Sequence, residues 1–168
     1  YSPGRSSSVS AVAVAAGYTP LTKGTDTAES VRIPAAFAQI YGIRPTQGRV
    51  NMQGMVPLSP NQDIAGPLVS HASDMPRIYE IMTGRTLAVT SEPLSVGIVA
   101  ELFTEQDSVA HQVRQALSFP ATVRLTTVSY PEISHLAREA NILAYEFSEA
   151  LAVFFADSSD ELRCGQGC

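Results

Sequence analysis

The segment Gly24-Thr25-Asp26-Thr27-Ala28-Glu29-Ser30-Val31-Arg32-Ile33-Pro34 constrains this chain most tightly. Small residues make a tight turn over Thr25–Glu29. Ser30 closes it as the cap of a short helix through Phe37 and Ile40, with Pro34 early enough to be tolerated. The first N–H groups of a helix have no partner inside it, so such a turn offers free donors beside a serine. Those donors stand where an oxyanion forms when the serine attacks a carbonyl. A second serine turn, Ser6-Ser7-Ser8, precedes another helical run from Val9 to Ala16, stopped by Gly17. Two serines in two turns point to serine chemistry that needs no histidine.

The Val9–Ala16 run mixes Ala and Val without a charge, which predicts a helix buried all round. Pro20 to Gly24 reads as a short extended piece feeding the turn. Between 42 and 67, Gly42, Pro45, Gly48, Gly54, Pro57, Pro60, Gly66 and Pro67 forbid long helices and predict an ordered loop over a core. His71–Met82 reads as a helix ending near Gly84, Arg85–Pro93 as a polar link and Leu94–Val99 as a buried strand. Asp107–Leu117 reads as an amphipathic helix and Ala121–Val128 as a strand. Ile133, Leu136, Ala140, Leu143, Phe147, Leu151 and Phe154 recur at helical spacing, which predicts one helix over Ile133–Phe155 behind Pro131. The alternation of helices and strands gives an α/β layer arrangement over residues 1–156, followed by a polar tail over 157–168.

At 168 residues the chain is long enough to bury a core. Its net charge of −5 and its single lysine, Lys23, argue against nucleic acid as a partner, because phosphate binding takes clustered Lys and Arg. The Val9–Ala16 run is too short to span a bilayer, so no membrane partner is expected. Cys164 and Cys168 form at most half a zinc site, and neither a metal nor another cofactor is expected. His71, His111 and His135 read as surface or packing residues on helices. Glu101, Glu105, Asp107 and Glu146 read as solvated helix ends or faces, and Tyr41, Tyr79 and Tyr145 as edges of the core.

Several blocks in order now carry a resemblance. They are Ser2-Pro3-Gly4-Arg5-Ser6-Ser7-Ser8-Val9-Ser10, the Gly24–Phe37 segment, Gly42-Ile43-Arg44-Pro45-Thr46 with Gly48-Arg49-Val50, and Gly54, Pro57-Leu58-Ser59-Pro60, Asp63 and Gly66-Pro67. A later block is Ala144-Tyr145-Glu146-Phe147. With these the chain resembles the amidase signature family, which includes amidases and glutamyl-tRNA amidotransferases, most densely over residues 2–74. The resemblance implies a mixed β-sheet core flanked by helices, of which this chain is an incomplete part.

It also implies acyl transfer from a carboxamide, with a small-molecule amide as substrate. Ser30 matches the nucleophile and Ser6 the relay serine that follows an unusual cis peptide bond, at a separation of 30 − 6 = 24 residues. Backbone N–H groups of Thr27, Ala28, Glu29 and Ser30 match the oxyanion donors. Asp26 and Arg32, as an ion pair, and Ser7 match supporting positions. The family's base is a lysine upstream of the relay serine. Here five residues precede Ser6, and Lys23 reads as a strand-edge residue. The chain opens at Tyr1 without an initiator methionine, so it reads as an internal piece whose lysine comes from an upstream segment or a second chain. Family glycines match Arg5, Ser8, Val9, Ala28 and Glu29, which predicts a backbone cost at those places and a negative charge beside the donors. The resemblance thus supports an amide hydrolase and, as its alternative, an inactive amidase-like fragment or pseudo-enzyme with a binding role only.

Overall fold

A computed structural model of the chain describes residues 2–88, 92–103, 107–118, 122–133 and 142–164, with the side chains of the last helix described to 157. His135, Leu136, Ala140, Glu105 and Cys168 lie outside the described residues. Two compact units divide the chain, Tyr1–Leu87 with Ile142–Cys168, and Ala88–Asn141.

The first unit holds helix α1 (Ser8–Ala15), strand β1 (Leu21–Asp26), helix α2 (Arg32–Phe37), strand β2 (Tyr41–Gly42), strand β3 (Ile64–Val69) and helix α3 (Met75–Thr83). Its three-stranded sheet runs in the order β1-β3-β2. Both pairings are antiparallel, with Leu21 opposite Val69 and Asp26 opposite Ile64 in β1, and Tyr41 opposite Val69 in β2. Ala11, Val31, Ala35 and Leu68 form the buried cluster between α1, α2 and β3. Small residues on both helices let them close on Leu68.

Helix α1 is buried on one face only. Ala11 and Val14 are enclosed, whereas Val9 is 81% exposed and Val12 43%. A helix laid on one side of a sheet needs apolar residues three or four apart, and the surplus valines face outward. Three side-chain hydrogen bonds stitch it to β1: Ser7 Oγ donates to the Thr25 carbonyl, Ser10 Oγ to the Lys23 carbonyl, and Thr22 Oγ1 to the Ser10 carbonyl.

The Gly/Pro-rich stretch conceals the central strand. All six residues of β3 are buried, including Gly66 and Pro67, where the sequence predicts loop. A proline lacks the N–H that a ladder uses and is normally kept out of central strands. Here the Pro67 carbonyl accepts from Ile43 N–H at 3.3 Å, so the Pro67 backbone faces the β2 side, one step past the end of that two-residue strand. The missing donor therefore falls where the ladder has already stopped. A Cβ on Gly66 would stand 2.1 Å from the Ile43 carbonyl oxygen, so only glycine admits this crossing. Gly66→Ala is expected to lower stability by about 3 kcal/mol, at the upper end of overpacking costs because the clash is with backbone. A urea unfolding midpoint measures it.

Helix α3 begins at Met75 rather than His71, after a 3₁₀ turn over Ala72–Asp74. Pro76 fits a first turn but not a helix interior. Gly84 ends the helix in the left-handed conformation, φ 65°. Helix α5, Ile142–Cys164, carries Leu143, Phe147, Leu151 and Phe154 of the late apolar stripe, whose Leu136 and Ala140 lie outside the described residues, and runs on through the polar stretch from Asp157 to Cys164.

In the second unit, strands β4 (Leu94–Val99) and β5 (Val123–Val128) pair in parallel, joined in sequence through helix α4 (Ser108–Ser118). Asp107 caps α4 by accepting from Val109 and Ala110 N–H. β4 is not the buried strand that its apolar content predicts. Leu94 is 55% exposed, and Ile98 alone is buried. Among the described residues no helix is long and apolar enough to cross a membrane.

Candidate active site

The site is built where β1 ends and α2 begins. β1 extends through Asp26, so the turn occupies residues 27–31, later than the sequence predicts. Asp26 is fully buried and organises it. Its Oδ2 accepts from the N–H groups of Val31 at 3.0 Å and Arg32 at 3.3 Å, which ties the two ends of the turn together. The same oxygen pairs with Arg32 Nε at 3.2 Å, and Oδ1 pairs with Arg44 Nη1 at 3.1 Å. Arg44 also donates to the carbonyls of Asp26 and Gln62, and Arg32 to that of Ala28. Burial pushes the Asp26 carboxyl up, but the hydrogen bonds from Arg32 and Val31 and the Arg32 charge outweigh it and hold the group below its ordinary value.

The strand register places Thr27 beside Asp63, one step beyond the Asp26–Ile64 pair. Thr27 Oγ1 donates to Asp63 Oδ1, while Asp63 Oδ2 accepts from the N–H groups of Leu58 at 2.7 Å and Ser59 at 2.9 Å. With both rims of the turn held, the N–H groups of Thr27, Ala28, Glu29 and Ser30 have no hydrogen-bond partner among the described residues. Donors fixed in this way and left unpaired can receive an anionic oxygen.

The first serine turn lies against the second. Ser7 N–H donates to the Ser30 carbonyl at 3.2 Å. Ser7 is buried, and its hydroxyl also accepts from Thr25 N–H at 3.2 Å. A Cβ on Gly24 would sit 2.5 Å from Ser7 Oγ, so glycine at 24 makes room for this contact. Ser6 precedes Ser7 with an exposed side chain, and the Arg5–Ser6 peptide bond is cis. Ser30 does not cap α2. The capping position is Val31, and neither the Ser30 nor the Ser6 hydroxyl has a hydrogen-bond partner among the described residues.

The left-handed backbone expected where the family has glycine is absent. Among the described residues Gln39 alone has a positive φ outside glycine, so none of Arg5, Ser8, Val9, Ala28 and Glu29 takes that conformation. Ser8 and Val9 lie in α1, where a side chain is free to point outward. Glu29 is exposed, so its charge is screened by water. Lys23 is exposed on β1, an outer strand of the sheet. His71 and His111 are exposed, and no group of three or more metal-ligating side chains occurs among the described residues.

Four contributors escaped the sequence reading. Arg44, Asp63 and Ser59 sit inside the resembling blocks, but nothing in their spacing assigns them partners. Glu146 is not a solvated helix face, since it accepts from Ser59 Oγ at 2.6 Å and from Asn61. Hydrogen bonds from Asn61 and Ser59 hold its carboxyl below the ordinary range. Glu101 is likewise engaged, by Ser129 and Tyr130. Tyr145 is 84% exposed rather than an edge of the core. Tyr41 and Tyr79 line an apolar groove of about 630 Å³ between α2 and α3, and neither Ser6 nor Ser30 lines it.

Comparison with known proteins is consistent across sequence and structure. The amidase family model matches residues 1–161. Indoleacetamide hydrolase of Pseudomonas syringae pv. syringae is 34% identical over 96% of this chain and 36% of its own length. A glutamyl-tRNA(Gln) amidotransferase subunit of Marinobacter nauticus is 32% identical over 99% of this chain and 38% of its own. The native peptide amidase of Stenotrophomonas maltophilia superposes with a TM-score of 0.77 at 28% identity, covering 93% of this chain and 37% of the other. The chain therefore spans little more than a third of the relatives it matches, and its mixed α/β fold is part of theirs.

Proposed function

Because the chain belongs to the amidase family, we propose that it carries the serine portion of an amide-hydrolysing site, with Ser30 as nucleophile and Ser6 as proton relay. Ser30 Oγ attacks the carbonyl carbon of a carboxamide. Its proton passes to Ser6 Oγ, which gives up its own to a base. A serine hydroxyl is a poor nucleophile until a base takes its proton, and a neutral lysine serves when burial lowers its pKa. Lys23 is exposed on an outer strand of the sheet, so this reading draws its base from another segment or a second chain. The oxyanion that forms accepts hydrogen bonds from the N–H groups of Thr27 to Ser30. Collapse expels ammonia or an amine with one proton and leaves an acyl ester on Ser30. Water hydrolyses the ester to the acid and restores the serine. Indoleacetamide hydrolase and peptide amidase share an amide in their names, which supports a small-molecule carboxamide as the substrate class.

One observation carries this reading: the Ser7 N–H to Ser30 carbonyl hydrogen bond brings two serine turns together across 30 − 7 = 23 residues of sequence, beside four N–H groups unpaired among the described residues. A fluorophosphonate probe, applied to the polypeptide or complex that joins this chain to its base, tests it. Modification located at Ser30 by mass spectrometry of the digested chain supports the reading. Modification at another serine, or at none, overturns it in favour of an amidase-like pseudo-enzyme.

A further inference from the structure

A continuous line of hydrogen bonds joins α5 to the candidate oxyanion turn within the first unit. Glu146 on α5 accepts from Ser59 Oγ at 2.6 Å. Ser59 is fully buried, and its N–H donates to Asp63 Oδ2 at 2.9 Å. Asp63 Oδ1 in turn accepts from Thr27 Oγ1. Glu146 also accepts from Asn61, through both the backbone N–H at 3.2 Å and the side-chain amide, so the loop over 58–63 is gripped twice from the helix. Each carboxylate in this line has both oxygens engaged. Removing Glu146 leaves the buried Ser59 hydroxyl without its acceptor, and a buried unpaired hydroxyl costs enough to make the loop rearrange. Asp63 moves with that loop, and Thr27 moves with Asp63.

We propose that Glu146 is a positioning residue for the oxyanion turn, acting through Ser59 and Asp63 on Thr27. Its own hydrogen bonds go to Ser59 and Asn61, not to Ser6 or Ser30. The proposal rests on the reading of Thr27–Ser30 as oxyanion donors. Such donors must meet the developing charge within a narrow distance, and a misplacement of about 1 Å costs up to about a hundredfold in rate.

The test compares the polypeptide or complex that joins this chain to its base with its Glu146→Ala, Glu146→Gln and Ser59→Ala variants. Two quantities are read: the concentration dependence of fluorophosphonate labelling at Ser30, and backbone hydrogen exchange over 25–31 and 57–64. Glu146→Ala and Ser59→Ala are expected to lower the maximal labelling rate about tenfold and leave the half-saturating probe concentration unchanged. Exchange over both segments rises in these variants. Glu146→Gln keeps an acceptor for Ser59 Oγ, so it stays within about threefold of the parent rate and retains its protection. A general weakening of the fold would instead move both kinetic parameters, and the glutamine variant would not restore them. An unchanged labelling rate together with unchanged exchange of the Leu58 and Ser59 N–H groups, which bond Asp63, in Ser59→Ala, which deletes a single oxygen and serves should Glu146→Ala fail to fold, overturns the proposal. If the parent chain shows no labelling at Ser30, the hydrolytic reading fails, while the exchange comparison still decides the positioning role.

Discussion

Asp26→Ala is expected to lower the unfolding free energy by about 3–5 kcal/mol, the cost of breaking a buried ion pair from one side. The substitution removes an acceptor from four groups at once: the N–H groups of Val31 and Arg32, and the guanidinium groups of Arg32 and Arg44. Which loss dominates follows from exposure. The Arg32 side chain is 50% exposed and that of Arg44 26%, so both cations recover part of their hydration. Val31 is fully buried, and its N–H recovers nothing. Asp26→Asn keeps one acceptor for that N–H and should cost less, about 1–3 kcal/mol. The two variants therefore separate the charge from the acceptor.

Acid should show the same group titrating. The folded-state pKa of Asp26 lies below the ordinary value of 3.8. A depressed carboxyl contributes stability that is fully present above its unfolded pKa and is lost as pH falls through the folded one. The gap between the parent chain and Asp26→Ala should be constant near neutrality and shrink as pH drops below about 4. Denaturant midpoints across that range measure it. A gap that stays constant into strong acid would show that the carboxylate charge is not what holds the turn.

What the sequence disclosed depends on how far apart the partners are. The turn ahead of α2, displaced to residues 27–31, and the helical spacing of Leu143, Phe147, Leu151 and Phe154 on α5 are local patterns present in the structure, and the Asp26–Arg32 pair that the resemblance implies is present too. The central strand is not a local pattern. Gly66 and Pro67 read as breakers because their use depends on Ile43, more than twenty residues away, whose carbonyl crosses one and whose N–H meets the other. The expected cost at Val9 failed for a related reason. Its position in an ordinary helix facing outward depends on which face of α1 meets the sheet. Arg44, Asp63 and Glu146 are single charged residues in sequence. Their meaning comes from Asp26, Thr27 and Ser59, which only the fold brings to them.

Three neighbouring serine substitutions should give three different results. Ser30→Ala is expected to abolish fluorophosphonate labelling at the site, because it removes the only atom to which the phosphonyl group is assigned. Ser6→Ala should slow labelling at Ser30 by about 10²–10⁴-fold, the range of general acid–base contributions, by removing the relay. Stability should change by less than about 0.5 kcal/mol, since the Ser6 side chain is exposed and holds no partner among the described residues. Ser7→Ala should do the reverse. Its hydroxyl is buried and bonds both the N–H and the carbonyl of Thr25, so its loss costs about 1–3 kcal/mol of stability. Its backbone N–H remains to hold Ser30, so labelling slows far less than in Ser6→Ala. The contrast guards against a trivial explanation, because a rate loss caused by unfolding would be larger at the buried serine. Equal rates for Ser6→Ala and the parent chain would remove Ser6 from the mechanism. They would leave Ser30 in need of a different base.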